Sequence, residues 1–206
     1  MGIPAERLHA SLAALASDHP PVASALAAHG WPEERRRPRG VGTMMRAIVA
    51  QQVSTKAAAS IWARLETACG GDMDDTARVA ATPHDVLRSA GLSGQKAMYV
   101  HALAAAVAGG HVDFAALPDD DEQAIALLSS IKGIGRWSAE IYLLFAEGRG
   151  DVFPAGDLAL QVQLGRMLGQ AARPTEKAAR AAVEPMRPHR GALAILLWHG
   201  YNVTAL

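Results

Sequence analysis

No stretch of this 206-residue chain alternates apolar and polar side chains in the way a half-buried strand requires. What recurs is the three-and-four spacing of one-sided helices, cut at short intervals by glycine, proline or aspartate. That pattern predicts an all-α protein. Helices are expected over 5–29, in two alanine-rich stretches separated at Asp18, His19, Pro20 and Pro21, and over 43–50, 55–69, 75–81, 83–90 and 95–108. Further helices are expected over 118–129, 136–147, 157–169, 174–183 and 189–202. Ser54 is placed to cap one of them, and the acids at 119–122 suit the positive end of another. Half of the residues are hydrophobic, enough at this length for a sizeable core. The expected arrangement is a single helical domain over 1–206, in two lobes with a cleft between them.

Several classes of function are excluded by what is missing. Cys69 is the one cysteine, so the chain has no internal disulfide framework and no four-cysteine metal or iron–sulfur site. The eight histidines show no zinc-ligand spacing. Glu6, Arg7, His9 and Asp18 interrupt the N-terminus where a secretory signal would be apolar, and no apolar run reaches the length of a membrane span. A cytoplasmic protein without membrane contacts is expected. With 20 basic and 20 acidic residues the net charge is zero, which argues against a protein that coats nucleic acid by charge alone. Local fields are a separate matter. The densest positive cluster, Arg35, Arg36, Arg37 and Arg39, follows Glu33 and Glu34 and reads as a solvated loop between helices. A phosphate-facing loop is the sharper alternative.

Two short segments carry chemistry. The first is Lys132-Gly133-Ile134-Gly135, set between two helical patterns. Its glycines permit positive φ and close approach of another backbone. N–H groups at the start of the next helix could then hold a phosphate oxygen, with Ile134 buried to anchor the turn. On spacing alone an ordinary helix–helix turn is the better reading. The second is Asp157, preceded by Phe153-Pro154-Ala155-Gly156 and followed by Leu158. An N-cap is its plain reading. Asp151, its near neighbour, reads as a solvated or structural acid, and His199 as structural.

Residues 128–139 resemble the helix-hairpin-helix motif of the DNA glycosylase superfamily named for that hairpin, a Gly/Pro-rich loop and an aspartate. The likeness continues through Ile48-Val49-Ala50-Gln51-Gln52-Val53-Ser54, Gly91-Leu92-Ser93-Gly94-Gln95-Lys96 and residues 151–161, all similar to the alkylation-repair branch, bacterial 3-methyladenine DNA glycosylase II. It covers about 39–202, and its segments occur in the family's order. Larger bacterial members carry an extra N-terminal β-rich domain for which this chain has no room, so it resembles the compact form.

The resemblance implies hydrolysis of the N-glycosidic bond of alkylated purines, such as 3-methyladenine or 7-methylguanine, in double-stranded DNA. It makes Asp157 the catalytic carboxylate, which stabilises the positive sugar or orients water. It puts Trp137 and Trp198 in the base pocket, Gln52 in the gap left by the extruded base, and Lys96, Lys132, Gly133, Ile134 and Gly135 on the DNA backbone. Core packing is the alternative for both tryptophans, on a par with the pocket for Trp198 and weaker for Trp137, which falls within the motif; a buried or capping amide is the alternative for Gln52 and a surface position that for Lys96. Members that also cut the backbone carry a lysine two residues after the second glycine; here that residue is Trp137, so a monofunctional enzyme is expected. The family's second pocket aromatic is replaced by Ile141, with Tyr142 next to it, which leaves the substrate range open. No cofactor is implied, apart from a monovalent cation on the backbone carbonyls of Ser129, Ile131 and Ile134. A monomer, working on the nucleoid, is expected. A non-catalytic DNA-binding protein and a glycosylase for uracil or etheno-adducts stay open as alternatives.

Overall fold

The computed structural model describes residues 2–204. Among them are twelve α-helices, one π turn and one 3-10 turn, with no strand, as the absence of alternation predicts. The chain divides into two compact units, Pro38–Tyr142 and the combination of Met1–Arg37 with Leu143–Leu206.

The Pro38–Tyr142 unit holds α3 (Val41–Ala50), α4 (Thr55–Ala68), α5 (Thr76–Ala81), α6 (His84–Ser89), α7 (Gly94–Ala108), α8 (Asp121–Ser129) and α9 (Arg136–Tyr142). Val41, Met44, Met45, Ile48 and Val49 form the buried stripe of α3, at the spacing expected of a one-sided helix. The opposing α7 buries Ala97, Val100, Leu103 and Ala104, and its small residues let α3 and α5 pack closely on it. Side-chain caps set the starts of four helices: Ser54 accepts from the Ala57 N–H, Asp75 from Arg78, Ser93 from Lys96 and Asp120 from Gln123. Each satisfies a backbone donor that has no partner inside its helix.

The other unit holds α1 (Ala5–Asp18), α2 (Pro20–His29), a π turn (Leu143–Glu147), α10 (Leu158–Met167), α11 (Glu176–Ala182), a 3-10 turn (Glu184–Met186) and α12 (Arg190–Thr204). Its centre is α12, buried continuously from Arg190 to Trp198 and packed against α10, α2 and α1. Arg190 is inside because Asp151 and Glu184 pair with it, at 2.9 Å each. A buried guanidinium is tolerable only with such partners. Asp151 is therefore structural, as one of the two readings held, and not solvated. The predicted helix over 136–147 is corrected here: its α-helical part stops at Tyr142, and 143–147 widen into the π turn. The basic segment is the exposed loop between two helices that was expected, with Arg35, Arg36, Arg37 and Arg39 all exposed. Arg36 pairs with Glu34, while the Arg37 N–H donates to the Phe145 carbonyl and its guanidinium lies over the Phe145 ring, 5.9 Å from its centre. Desolvation of the part of its guanidinium turned to the protein, and then neighbouring Arg35, pull Arg37 below its ordinary value.

Candidate active site

In the Pro38–Tyr142 unit the hairpin joins α8 to α9. Ile134 is buried as predicted, and its N–H donates to the Ile131 carbonyl at 3.0 Å, closing the turn. The two glycines turn out to do different jobs. Gly133 has φ +96°, and a Cβ there would lie 2.1 Å from Cγ of Tyr99, far closer to the ring than van der Waals contact allows. Gly135 has no left-handed backbone, is exposed, and a Cβ there would meet nothing within 4 Å. Nothing inside the protein requires a glycine at 135. An exposed position without a side chain leaves room for a partner's backbone to approach the start of α9.

A strut crosses the hairpin that the sequence reading did not single out. Arg136 donates through both terminal nitrogens to Glu122, at 2.8 and 2.5 Å, and through Nε to Glu140 at 2.9 Å. Glu122 sits in the first turn of α8 and Glu140 within α9, so one guanidinium ties the two helices together. Glu122, with Glu140 assisting, holds Arg136 above its ordinary value against the opposing effect of burial. Beyond the strut, Trp137 is 44 % exposed. Ile141 and Tyr142 are buried, the latter packed edge-on to Phe114.

Gln52 lies in the same unit, just past α3. It is exposed and, among the described residues, it alone combines a side chain with positive φ, at 55°. A non-glycine residue there is uncommon and often marks a working position. Its neighbour Gln51 reaches the hairpin through a long Nε2–H contact to the Gly133 carbonyl, 3.5 Å. Lys96, expected on phosphate, has its ammonium engaged within the protein. Its Nζ donates to the carbonyls of Val49 (2.8 Å) and Gln51 (2.5 Å). The physical reason is the end of α3, whose last carbonyls lack helical partners and draw in a cation.

In the other unit Asp157 is the N-cap of α10, accepting from the Leu160 N–H at 3.0 Å. The same oxygen, Oδ1, accepts from Nε1 of Trp198 at 3.1 Å. Two donors converging on one oxygen fix the carboxylate while it stays half-buried. Upstream, the Asp157 N–H closes a turn onto the Pro154 carbonyl, and Gln161 pins Ala155 through its carbonyl at 2.6 Å. Trp198 is only 9 % exposed and packs against Phe145, so its anchoring of the acid is plainer than any stacking face.

Exposed apolar side chains add a signal the sequence did not offer. Among the described residues six large ones are exposed, and three of them, Val53, Trp137 and Leu158, directly follow Gln52, Arg136 and Asp157. Leu158, 59 % exposed beside the acid, was missed because its spacing is that of an ordinary helical residue. Among the described residues no group of three or more His, Cys, Asp or Glu is placed to hold a metal, and no helix is long and apolar enough to cross a membrane.

Comparison with known proteins agrees with this geometry. Residues 45–188 match the family described as HhH-GPD superfamily base excision DNA repair protein. The alkylbase DNA glycosidase-like protein mag2 of Schizosaccharomyces pombe is 29 % identical over 160 residues, covering 75 % of each chain. The crystal structure of a DNA-3-methyladenine glycosidase from Bacillus halodurans superposes with a TM-score of 0.82 at 28 % identity, over 93 % of this chain and 88 % of that one. The S. pombe 3-methyladenine DNA glycosylase, solved in complex with abasic DNA, gives 0.76 at 26 % identity, over 90 % and 92 %.

Proposed function

The chain belongs to the HhH-GPD superfamily of base excision DNA repair proteins, and from that premise we propose that it is a monofunctional DNA glycosylase hydrolysing the glycosidic bond of alkylated purines. The observation that carries the proposal is the Asp157 carboxylate, held on Oδ1 by the Leu160 and Trp198 N–H groups. Purines alkylated at N3 or N7 are positively charged and already good leaving groups. What the reaction needs is a fixed anion beside the sugar as positive charge develops there, and a way to orient water. A held carboxylate supplies both without reorganising during the reaction.

The remaining residues take the other roles of the reaction. Backbone N–H groups of the hairpin and the start of α9 grip a phosphate, with Gly135 leaving room for it and exposed Lys132 beside it. Gln52 enters the gap left by the extruded base. The exposed face of Trp137 attracts a cationic base. Trp137 also stands where a lyase would carry its lysine, so water is the nucleophile and an abasic site is the product. The carbonyls of Ser129, Ile131 and Ile134 are those that would hold a monovalent cation; the Ile131 oxygen, which keeps a lone pair beyond its one bond, and the Ser129 hydroxyl, buried without a hydrogen-bond partner, support that reading. Such an ion would supply positive charge to the phosphate grip. The protein works as a monomer on duplex DNA.

The test is release of free base from methylated DNA by the purified protein, set against Asp157→Asn. An asparagine still caps α10, so the variant folds. Loss of release with retained binding to a duplex bearing an abasic-site analogue supports the proposal. Binding without release by the wild-type protein would make it a DNA-binding module, and release only from uracil or etheno-adduct duplexes would change the lesion.

A further inference from the structure

We propose that the first turns of α7 form a bracket in which Lys96 positions Gln52 while Tyr99 supports the hairpin, so that one helix sets both elements that meet DNA. The inference rests on the glycosylase reading above and adds a positioning residue to it. Helix α3 ends at Ala50, and the chain then turns through Gln51 (φ −56°, ψ 130°) into the left-handed Gln52. Nothing local favours that conformation in a residue with a Cβ. What spans the turn is Lys96, whose ammonium joins the carbonyl of Val49, inside α3, to that of Gln51, immediately before Gln52. Fixing the Gln51 carbonyl fixes the peptide plane that leads into Gln52.

The ammonium is itself well held. The Lys96 backbone N–H bonds to the Ser93 hydroxyl that caps α7, which anchors the residue from which the side chain extends. Burial holds the ammonium below its ordinary value, a cost that a freely solvated surface lysine would not carry. Three residues on, Tyr99 packs its ring against Gly133 so closely that a Cβ there has no room, and its hydroxyl accepts from the Gln95 side chain at 2.5 Å. Gln51 closes the loop through its contact with the Gly133 carbonyl. Gln52 and the hairpin are thus referenced to a single rigid element, and a side chain that must enter a gap in the duplex needs its origin held to a fraction of an ångström relative to the phosphate grip.

A double-mutant cycle on a duplex with one alkylated purine tests this, using Lys96→Met, Gln52→Ala and both together. Each single change is expected to lower kcat/KM about tenfold, and the pair to lose little more than either alone, because both remove one function. Lys96→Arg, which keeps several donors, recovers most of the activity. Losses that multiply to about a hundredfold overturn the proposal. So does a Lys96→Met variant whose affinity for undamaged duplex falls with a salt dependence shallower by about one, since that marks a phosphate contact. Hydrogen exchange over residues 48–54 and 131–137 gives a readout independent of catalysis. Faster exchange in both segments of Lys96→Met is expected, with Lys96→Gln as the second variant if the first does not fold. Unchanged exchange refutes the bracket. If the wild-type protein releases no base, the glycosylase reading fails, and exchange alone decides the bracket.

Discussion

Replacing each hairpin glycine by alanine should give two opposite phenotypes from neighbouring positions of one motif. At Gly133 the added Cβ meets the Tyr99 ring at 2.1 to 2.5 Å from a backbone with φ +96°. A left-handed non-glycine residue costs roughly 1–2 kcal/mol, and displacing a packed ring adds about 1–3 kcal/mol. The sum is about 2–5 kcal/mol. At about 2–4 °C per kcal/mol for a chain of this size, the melting temperature should drop by roughly 4–20 °C. At Gly135 neither cost applies, since the Cβ enters open space from an unstrained backbone. Stability should stay within about 0.5 kcal/mol of wild type, as for a plain surface change. Under the proposed phosphate grip, what suffers there is DNA binding, because a methyl group would stand where a phosphate has to approach. Thermal melting and fluorescence anisotropy with an abasic-analogue duplex read the two effects separately. Gly135→Ala should melt like wild type and bind at least tenfold more weakly, a loss of about 1.4 kcal/mol. Equal melting losses in the two variants, or wild-type binding by Gly135→Ala, would refute the division of labour.

Three further outcomes are expected. Trp198→Phe keeps a ring against Phe145 but removes the donor to Asp157; a hydrogen bond to a charged group contributes about 1.5–3 kcal/mol, so kcat should fall roughly 10- to 100-fold while abasic-duplex affinity holds. An unaltered kcat would show that the bond does not matter to the chemistry. Arg136→Met strips the guanidinium from Glu140, whose side chain is 2 % exposed, and should cost about 3 kcal/mol in denaturant unfolding, with part recovered in Arg136→Met/Glu140→Gln. A loss below 1 kcal/mol would mean that the strut is dispensable. Burial pushes the Cys69 thiol up, against a smaller opposing effect of Thr82. The unfolded thiol therefore ionises first as pH rises, the native state holds more protons, and this group's contribution to stability is lost above pH about 9. Iodoacetamide should label Cys69 only on unfolding, and rapid labelling of the native protein at pH 8 would contradict its burial.

The division between what the sequence revealed and what it hid follows the range of the interactions. Caps are local: Ser54 and Asp157 each accept from an N–H three residues on, so residue type and position are enough to find them. The burial of Ile134 was legible for the same reason, as the one apolar residue inside a tight turn. The bonds that assemble the site are long-range. Lys96 meets Gln51 across 45 positions, and Trp198 meets Asp157 across 41. No periodicity records such pairings, so the bonds of Lys96 and Trp198 are not legible in the sequence. The π turn at 143–147 was invisible because an unbroken apolar run fits a buried helix of either pitch.

Asp157 begins a helix whether or not it ever touches a sugar. Folding therefore does not police the chemistry proposed for it, because swapping one oxygen for an amide nitrogen leaves the helix start capped. Under the proposed function such a variant would occupy damage without removing it.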